Sequence, residues 1–214
     1  MSEKLVLHDY WRSSSAYRVR IALNLKGLSY DRVPHDLLAG EQRTASYVAI
    51  APQGLVPAIE VNGHVLTQSV AIIEWLDERF PQPPLLPADA EGKAIARAMA
   101  AVIAADVQPL QNLRVLKALK ARFGADQDSI DDWVRYWIGE GFAALEAMVA
   151  RHGKGFCHGD HPGLADCLLI PQMFNADRFH MDFAAYPSLS AVRARCEALP
   201  PFADAHPSRQ REAA

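Results

Sequence analysis

The segment Leu5-Val6-Leu7-His8-Asp9-Tyr10-Trp11-Arg12-Ser13-Ser14-Ser15, followed by Ala16-Tyr17-Arg18-Val19-Arg20-Ile21-Ala22-Leu23, decides how the first half of the chain is read. Leu5 to Tyr10 has the short apolar character of a strand, and Tyr17 to Lys26 that of a helix stopped by Gly27. The serine triplet lies between them. A serine at a helix start is ordinarily a cap, because its oxygen accepts an N–H that the helix itself cannot use. One cap needs one serine, and two remain. The same spot carries unpaired donors and the positive end of the helix dipole, so it also suits an anion. A thiolate held there is stabilised as a low-pKa cysteine at a helix N-terminus is.

Outward from this point the chain alternates in type. A short strand is expected around Tyr30 to Pro34, then a loop containing Gly40 and a short helix near Thr44 to Ile50. Ala58–Val61 and Val65–Thr67 read as strands joined by Asn62-Gly63, a strong hairpin signal. The spacing of Ile72, Ile73, Leu76 and Phe80 predicts a helix over 69–79. The order βαβ, α, ββα implies a small mixed sheet with helices packed on it. Ser69 is the natural N-cap of the last helix; its hydroxyl and the first helical amides also suit a carboxylate, with Gln68 able to meet an adjacent ammonium. Val56-Pro57 stands at the mouth of a strand. A cis bond there exposes the Val56 backbone to an extended peptide, but on residues alone a trans proline opening the strand is the commoner case.

Phe80 to Pro87 holds four prolines and reads as a stiff linker. Beyond it the pattern is helical. One long helix is expected from about Glu91 to Arg122, bent where Pro109 removes a hydrogen bond; the polar run Asp106, Gln108, Gln111 and Asn112 near the bend reads on residues alone as a solvated face, and as a cleft-facing site only with the family resemblance given below. Ile130, Val134, Trp137, Ile138, Phe142, Leu145 and Met148 define an amphipathic helix over 129–151. Gly163 with Asp166 three residues on is half of a capping box for the next helix, which ends at Arg178. A last short helix runs to Leu199, and the polar tail from His206 is expected to fray.

Size and composition exclude several classes. The 214 residues, half of them hydrophobic and with a net charge of −3, suit one large or two modest domains and give no basic patch for nucleic acid. Leu5 to Leu7 is too short for a signal-peptide core, and the apolar run from Ala98 stops at Asp106, so no membrane span and a cytoplasmic location are expected. Cys157, Cys167 and Cys196 have neither disulfide nor metal-ligand spacing and read as small core residues in a reducing compartment. No metal site is expected. The first half of the chain has no cysteine, which argues against a thioredoxin-type oxidoreductase.

Arg12-Ser13-Ser14-Ser15 with Ala16-Tyr17-Arg18-Val19-Arg20-Ile21-Ala22-Leu23, then Leu55-Val56-Pro57, then Gln68-Ser69 with Ala71-Ile72-Ile73-Glu74, resembles the zeta class of glutathione transferases, the maleylacetoacetate and maleylpyruvate isomerase family. The likeness extends to Gln108-Pro109-Leu110-Gln111-Asn112-Leu113 and Asn175-Ala176-Asp177-Arg178-Phe179. It implies the glutathione transferase fold: an α/β thioredoxin-like N-terminal domain over 1–83 that binds glutathione, and an all-α C-terminal domain over 88–214 that builds the substrate pocket, as a homodimer. By this resemblance Ser13 hydrogen-bonds the glutathione sulfur, with Ser14 and the helix start adding to the stabilisation of the anion. Val56 pairs with the cysteine backbone, and Gln68 and Ser69 clamp the γ-glutamyl end. Gln42 and Gln111 match glutamines near the other end of the peptide and at the domain interface. Arg12 and Arg178 meet the carboxylates of a dicarboxylic substrate, each guanidinium being able to grip one in bidentate fashion.

The chain departs from the family pattern at Ser15, where a cysteine is usual, so any chemistry owed to that thiol is in question while the stabilised glutathione thiolate is not. The implied activity is cis–trans isomerisation of maleylacetoacetate, with maleylpyruvate isomerisation or general transfer and dehalogenation of α-halo acids as alternatives. A non-catalytic scaffold that keeps only the fold would tend to lose Ser13, Arg12 and Arg178; all three are present.

Overall fold

The computed structural model describes residues 4–210. In chain order its strands and α-helices are β1 (Leu5–Asp9), α1 (Ser14–Leu25), β2 (Asp31–Pro34), α2 (Ala45–Ile50), β3 (Ala58–Val61), β4 (His64–Thr67), α3 (Ser69–Arg79), α4 (Ala90–Ala101), α5 (Leu113–Phe123), α6 (Gln127–His152), α7 (Leu164–Asp177), α8 (Pro187–Glu197) and α9 (Pro200–Ala205). No helix among the described residues is long and apolar enough to cross a membrane. The chain divides into two compact units, Met1–Leu85 with Glu197–Ala214, and Leu86–Cys196.

In the first unit the sheet order is β2-β1-β3-β4, with β2 parallel to β1 and the remaining pairs antiparallel. A parallel pair needs a crossover, and α1 supplies it. The hairpin between β3 and β4 turns on Asn62 and Gly63, whose φ values of 48° and 80° are the left-handed pair that a two-residue type I′ turn requires. Leu7 and Ile59 from the sheet, Val19 and Leu23 from α1, and Ile72, Ile73 and Leu76 from α3 are fully buried, so the sheet and these helices share one core. The parallel ends of β1 and β2 bring Asp9 opposite Pro34, and α1 begins just beyond Asp9. This is what places the serine triplet.

Asp9 is completely buried between two arginines. Arg20 Nη1 donates to one of its oxygens at 2.6 Å and Arg32 Nε to the other at 2.9 Å. Arg20 Nη2 also reaches the Trp11 carbonyl at 3.1 Å, and its Nε the Ala205 carbonyl at 3.1 Å. Arg32 Nη1 reaches the carbonyl of Gln210 at 3.4 Å. These bonds, with the packing of α9 on α1, correct the expectation that the tail frays from His206: the segment through Gln210 is held against the first unit. For the same reason Glu197–Ala214 groups with the first unit, whereas the sequence division placed 88–214 together.

The second unit is helical. Ile130, Val134, Ile138, Phe142 and Leu145 of α6 are buried as the spacing predicts, and α7 is buried along nearly its whole length. The single bent helix expected over 91–122 is absent. The chain leaves α4 through a π-helical segment at Val102–Val107 and a 3₁₀ turn at Gln108–Gln111, then restarts at α5. Pro109 cannot donate a helical hydrogen bond, and its ring crowds the preceding turn. Asn112, extended at ψ 142°, caps α5 by accepting the Arg114 N–H at 3.2 Å, so the break is a full stop and restart.

Candidate active site

The start of α1 resolves which serine caps the helix. Ser13 has extended backbone (φ −67°, ψ 120°), and its Oγ accepts the Ala16 N–H at 3.2 Å. Ser14 and Ser15 are the first two helical residues, whose backbone N–H groups have no carbonyl four residues back within the helix. The cap is therefore the serine that the resemblance pairs with sulfur, and the two roles are compatible. A hydroxyl both accepts and donates, so with its oxygen engaged by Ala16 the Ser13 proton remains available outward.

The segment before β3 packs beside Tyr10 and Trp11, which lead into α1. Val56-Pro57 is cis, correcting the trans reading favoured on residues alone. Val56 is 9% exposed and packs in a cluster with Tyr10, Tyr47, Ala51 and Ala58, against which Trp11 and Leu37 lean. Gln42 hangs near this cluster through Nε2, which approaches the Leu37 carbonyl at 3.5 Å. Its Oε1 is buried and has no hydrogen-bond partner among the described residues.

At the start of α3 the expectation for Ser69 is corrected. Gln68 holds the cap position, with φ 70° and no side-chain capping bond, and Ser69 is the first helical residue. Ser69 is buried, and its Oγ accepts Arg18 Nη1 at 3.2 Å. Gln68 Nε2 donates to Gln53 Oε1 at 2.6 Å, while the Gln68 side-chain Oε1 is an acceptor and its backbone carbonyl accepts the Ile72 N–H at 2.9 Å. A non-glycine residue at positive φ is strained, and Gln68 bears that strain without a side-chain capping bond in return.

A cleft of about 480 Å³ opens beside the β1–α1 connection, lined by Trp11, Arg12, Arg32, His35 and Gln210 among others. Arg12 is half-buried there, its guanidinium 5.5 Å from the centre of the Trp11 ring. His35 Nε2 lies 2.8 Å from His8 Nδ1, and His8 Nε2 lies 2.6 Å from Glu60 Oε1. Burial, and then the neighbouring His8, push the His35 pKa below its ordinary value.

In the second unit Gln111 and Arg178 are brought together through one residue. Asn175 Nδ2 donates to Gln111 Oε1 at 2.5 Å, and Arg178 Nη1 donates to Asn175 Oδ1 at 3.1 Å. Gln111 is buried, whereas Arg178, at the C-cap of α7, is exposed. Sequence reasoning passed over Arg18, Asp9, Arg32 and His35. The available signal was Arg18 and Arg20 within the otherwise apolar run from Ala16 to Leu23: charges on the inward side of a helix demand partners.

Residues 12–79 match the family model for the glutathione S-transferase N-terminal domain. The maleylpyruvate isomerase of Ralstonia sp. is 44% identical over 97% of this chain and 99% of its own length. The maleylacetoacetate isomerase of Pseudomonas aeruginosa is 45% identical over 95% of this chain and 96% of its own. A crystal structure of maleylacetoacetate isomerase from Anaeromyxobacter dehalogenans, with bound dicarboxyethyl glutathione and citrate, superposes with a TM-score of 0.89 at 46% identity, covering 100% of this chain and 99% of that one. The chain belongs to the zeta-class glutathione transferase family of maleylacetoacetate and maleylpyruvate isomerases.

Proposed function

We propose that the chain is a glutathione-dependent cis–trans isomerase of a maleyl diketo acid, converting maleylacetoacetate to fumarylacetoacetate in the catabolism of aromatic compounds. The observation that carries this is the 45% identity to a maleylacetoacetate isomerase along 95% of the chain. A maleylpyruvate isomerase is 44% identical over 97%, so maleylpyruvate is the second substrate reading.

The residues fit glutathione. The α1 start offers spare donors to a thiolate, the buried Gln42 Oε1 is an acceptor with no partner among the described residues, and the α3 start offers donors to a carboxylate. Bound there, glutathione supplies a thiolate that adds reversibly to the cis double bond and so frees it to rotate. Ser13 donates its hydroxyl proton to the sulfur, and the Ser14 and Ser15 amides with the α1 dipole hold the negative charge. Ser15 supplies a hydroxyl where the family's usual pattern has a cysteine. Val56 pairs with the peptide backbone, Gln68 and Ser69 hold the γ-glutamyl end, and Gln42 and Gln111 serve the remainder. Arg12 takes a substrate carboxylate and favours the charge that develops beside it; Arg178 is given the second carboxylate on resemblance alone. A cytoplasmic homodimer, with glutathione binding in 1–83 and substrate recognition beyond residue 88, completes the proposal.

The test is a cis–trans assay with maleylacetoacetate and maleylpyruvate, with and without glutathione. Turnover that needs glutathione and returns it unconsumed is expected. Equal turnover without it, or its stoichiometric loss into a conjugate, overturns the reading.

A further inference from the structure

Among the described residues Arg18 is a buried cation with no anion in contact. It is 2% exposed, and the hydrogen bond it makes there runs from Nη1 to Ser69 Oγ at 3.2 Å. Nε and Nη2 are buried and have no partner among the described residues. The other two buried cations of α1 and its end are paired: Arg20 donates to Asp9, which the half-buried Arg32 also meets, and Lys26 holds Asp77 at 2.6 Å. Burial lowers the Arg18 pKa to about 10, which still leaves it charged at neutral pH. A dehydrated guanidinium with two nitrogens unsatisfied is costly, and this one lies behind the start of an eleven-residue helix whose dipole is also positive. Two positive elements converge on Ser69. An anion at the α3 start relieves both.

The direction of the Arg18–Ser69 bond adds a second point. A guanidinium can only donate, so it occupies a lone pair on Ser69 Oγ and leaves the hydroxyl proton to point elsewhere. Ser69 is thereby set as a donor, the polarity a carboxylate requires. We infer that Arg18 is a positioning residue for the γ-glutamyl carboxylate of glutathione, holding Ser69 as a donor and supplying from the interior the charge that this carboxylate neutralises. The inference rests on the glutathione reading above. It makes the free protein bear a penalty that the ligand removes, so affinity for this end of the peptide is gained at the expense of apo stability.

The experiment compares wild type, Arg18→Met and Arg18→Lys by calorimetric binding of two peptides, glutathione and γ-aminobutyryl-cysteinyl-glycine, which lacks the α-carboxylate. Arg18→Met is expected to weaken glutathione binding by about tenfold or more while leaving the decarboxylated peptide within about threefold. Arg18→Lys is expected to keep most of the wild-type preference for glutathione. Thermal unfolding without ligand is expected to find Arg18→Met at least as stable as wild type. Equal losses for both peptides, unchanged glutathione affinity, or an Arg18→Met chain that unfolds or fails to fold would each make Arg18 a structural residue and overturn the inference. Failure of wild type to bind glutathione at all would instead remove the functional reading beneath it.

Discussion

The two helix starts of the first unit use serine in opposite settings. At α1, Ser13 is half-buried, precedes the helix, and its oxygen is engaged by the neutral Ala16 amide. At α3, Ser69 is buried, sits inside the first turn, and its oxygen is engaged by the charged Arg18. In both, the oxygen is occupied from within the protein and the proton is left to donate. The difference lies in the strength behind it: a backbone amide and a dipole at one site, a dehydrated guanidinium at the other. On the proposed reading, a sulfur that must attack and leave again is served by the milder environment, because a nucleophile held too firmly is unreactive. A carboxylate that only anchors is served by the stronger one.

That contrast is sharpest in kinetics. Ser13→Ala is expected to lower kcat about 10²- to 10³-fold, the loss of one donor to a developing or stored anion, with little change in glutathione affinity. It also removes a cap and costs about 1 kcal/mol of stability, readable by denaturant titration. Ser69→Ala is expected to raise the glutathione Kd about tenfold while kcat at saturating glutathione stays within about threefold. If the two variants show the same pattern, the division of roles is wrong. Smaller again is the effect of pH through His35. Its folded pKa lies below the unfolded 6.5, so the folded chain binds fewer protons. Its contribution to stability is flat above 6.5 and falls as pH drops from there towards the folded pKa. Thermal melts of His35→Asn across that window should show a shallower slope than wild type, and an unchanged slope would remove His35 as its source.

The start of α7 is the control for both sites. Gly163 has no side chain, and Asp166 supplies the cap by accepting the Gly163 N–H at 2.9 Å, with the Cys157 N–H at 2.8 Å on its other oxygen. Gly163→Ser is expected to raise stability by only a few tenths of a kcal/mol and to leave isomerase activity unchanged, measured by melting and by the cis–trans assay. A clear loss of stability would refute the cap.

Local signals carried much of this fold. The bounds of α3 and the Asn62-Gly63 turn were legible because periodicity and left-handed turn chemistry act over a few residues. The serine triplet is legible as a helix start for the same reason, though not which serine caps. What could not be read depends on partners distant in sequence. Ser69 looked like a cap until Arg18, 51 residues earlier, was seen to occupy its oxygen. The C-terminal segment looked loose until Arg20 was seen to hold the Ala205 carbonyl, 185 residues away. Pro109 signals a disturbed helix, but the sequence does not show that the disturbance spreads through Val102–Gln111 and ends in a new cap at Asn112.

The most direct test is a pH titration of the thiolate ultraviolet absorbance of glutathione bound to wild type, Ser13→Ala and Ser69→Ala, each at saturating peptide. A thiol pKa well below the usual value of about 8.5 is predicted for wild type and for Ser69→Ala, with a return towards that value in Ser13→Ala alone. A bound thiol that titrates normally in wild type, or one that depends on Ser69 as much as on Ser13, would contradict the account.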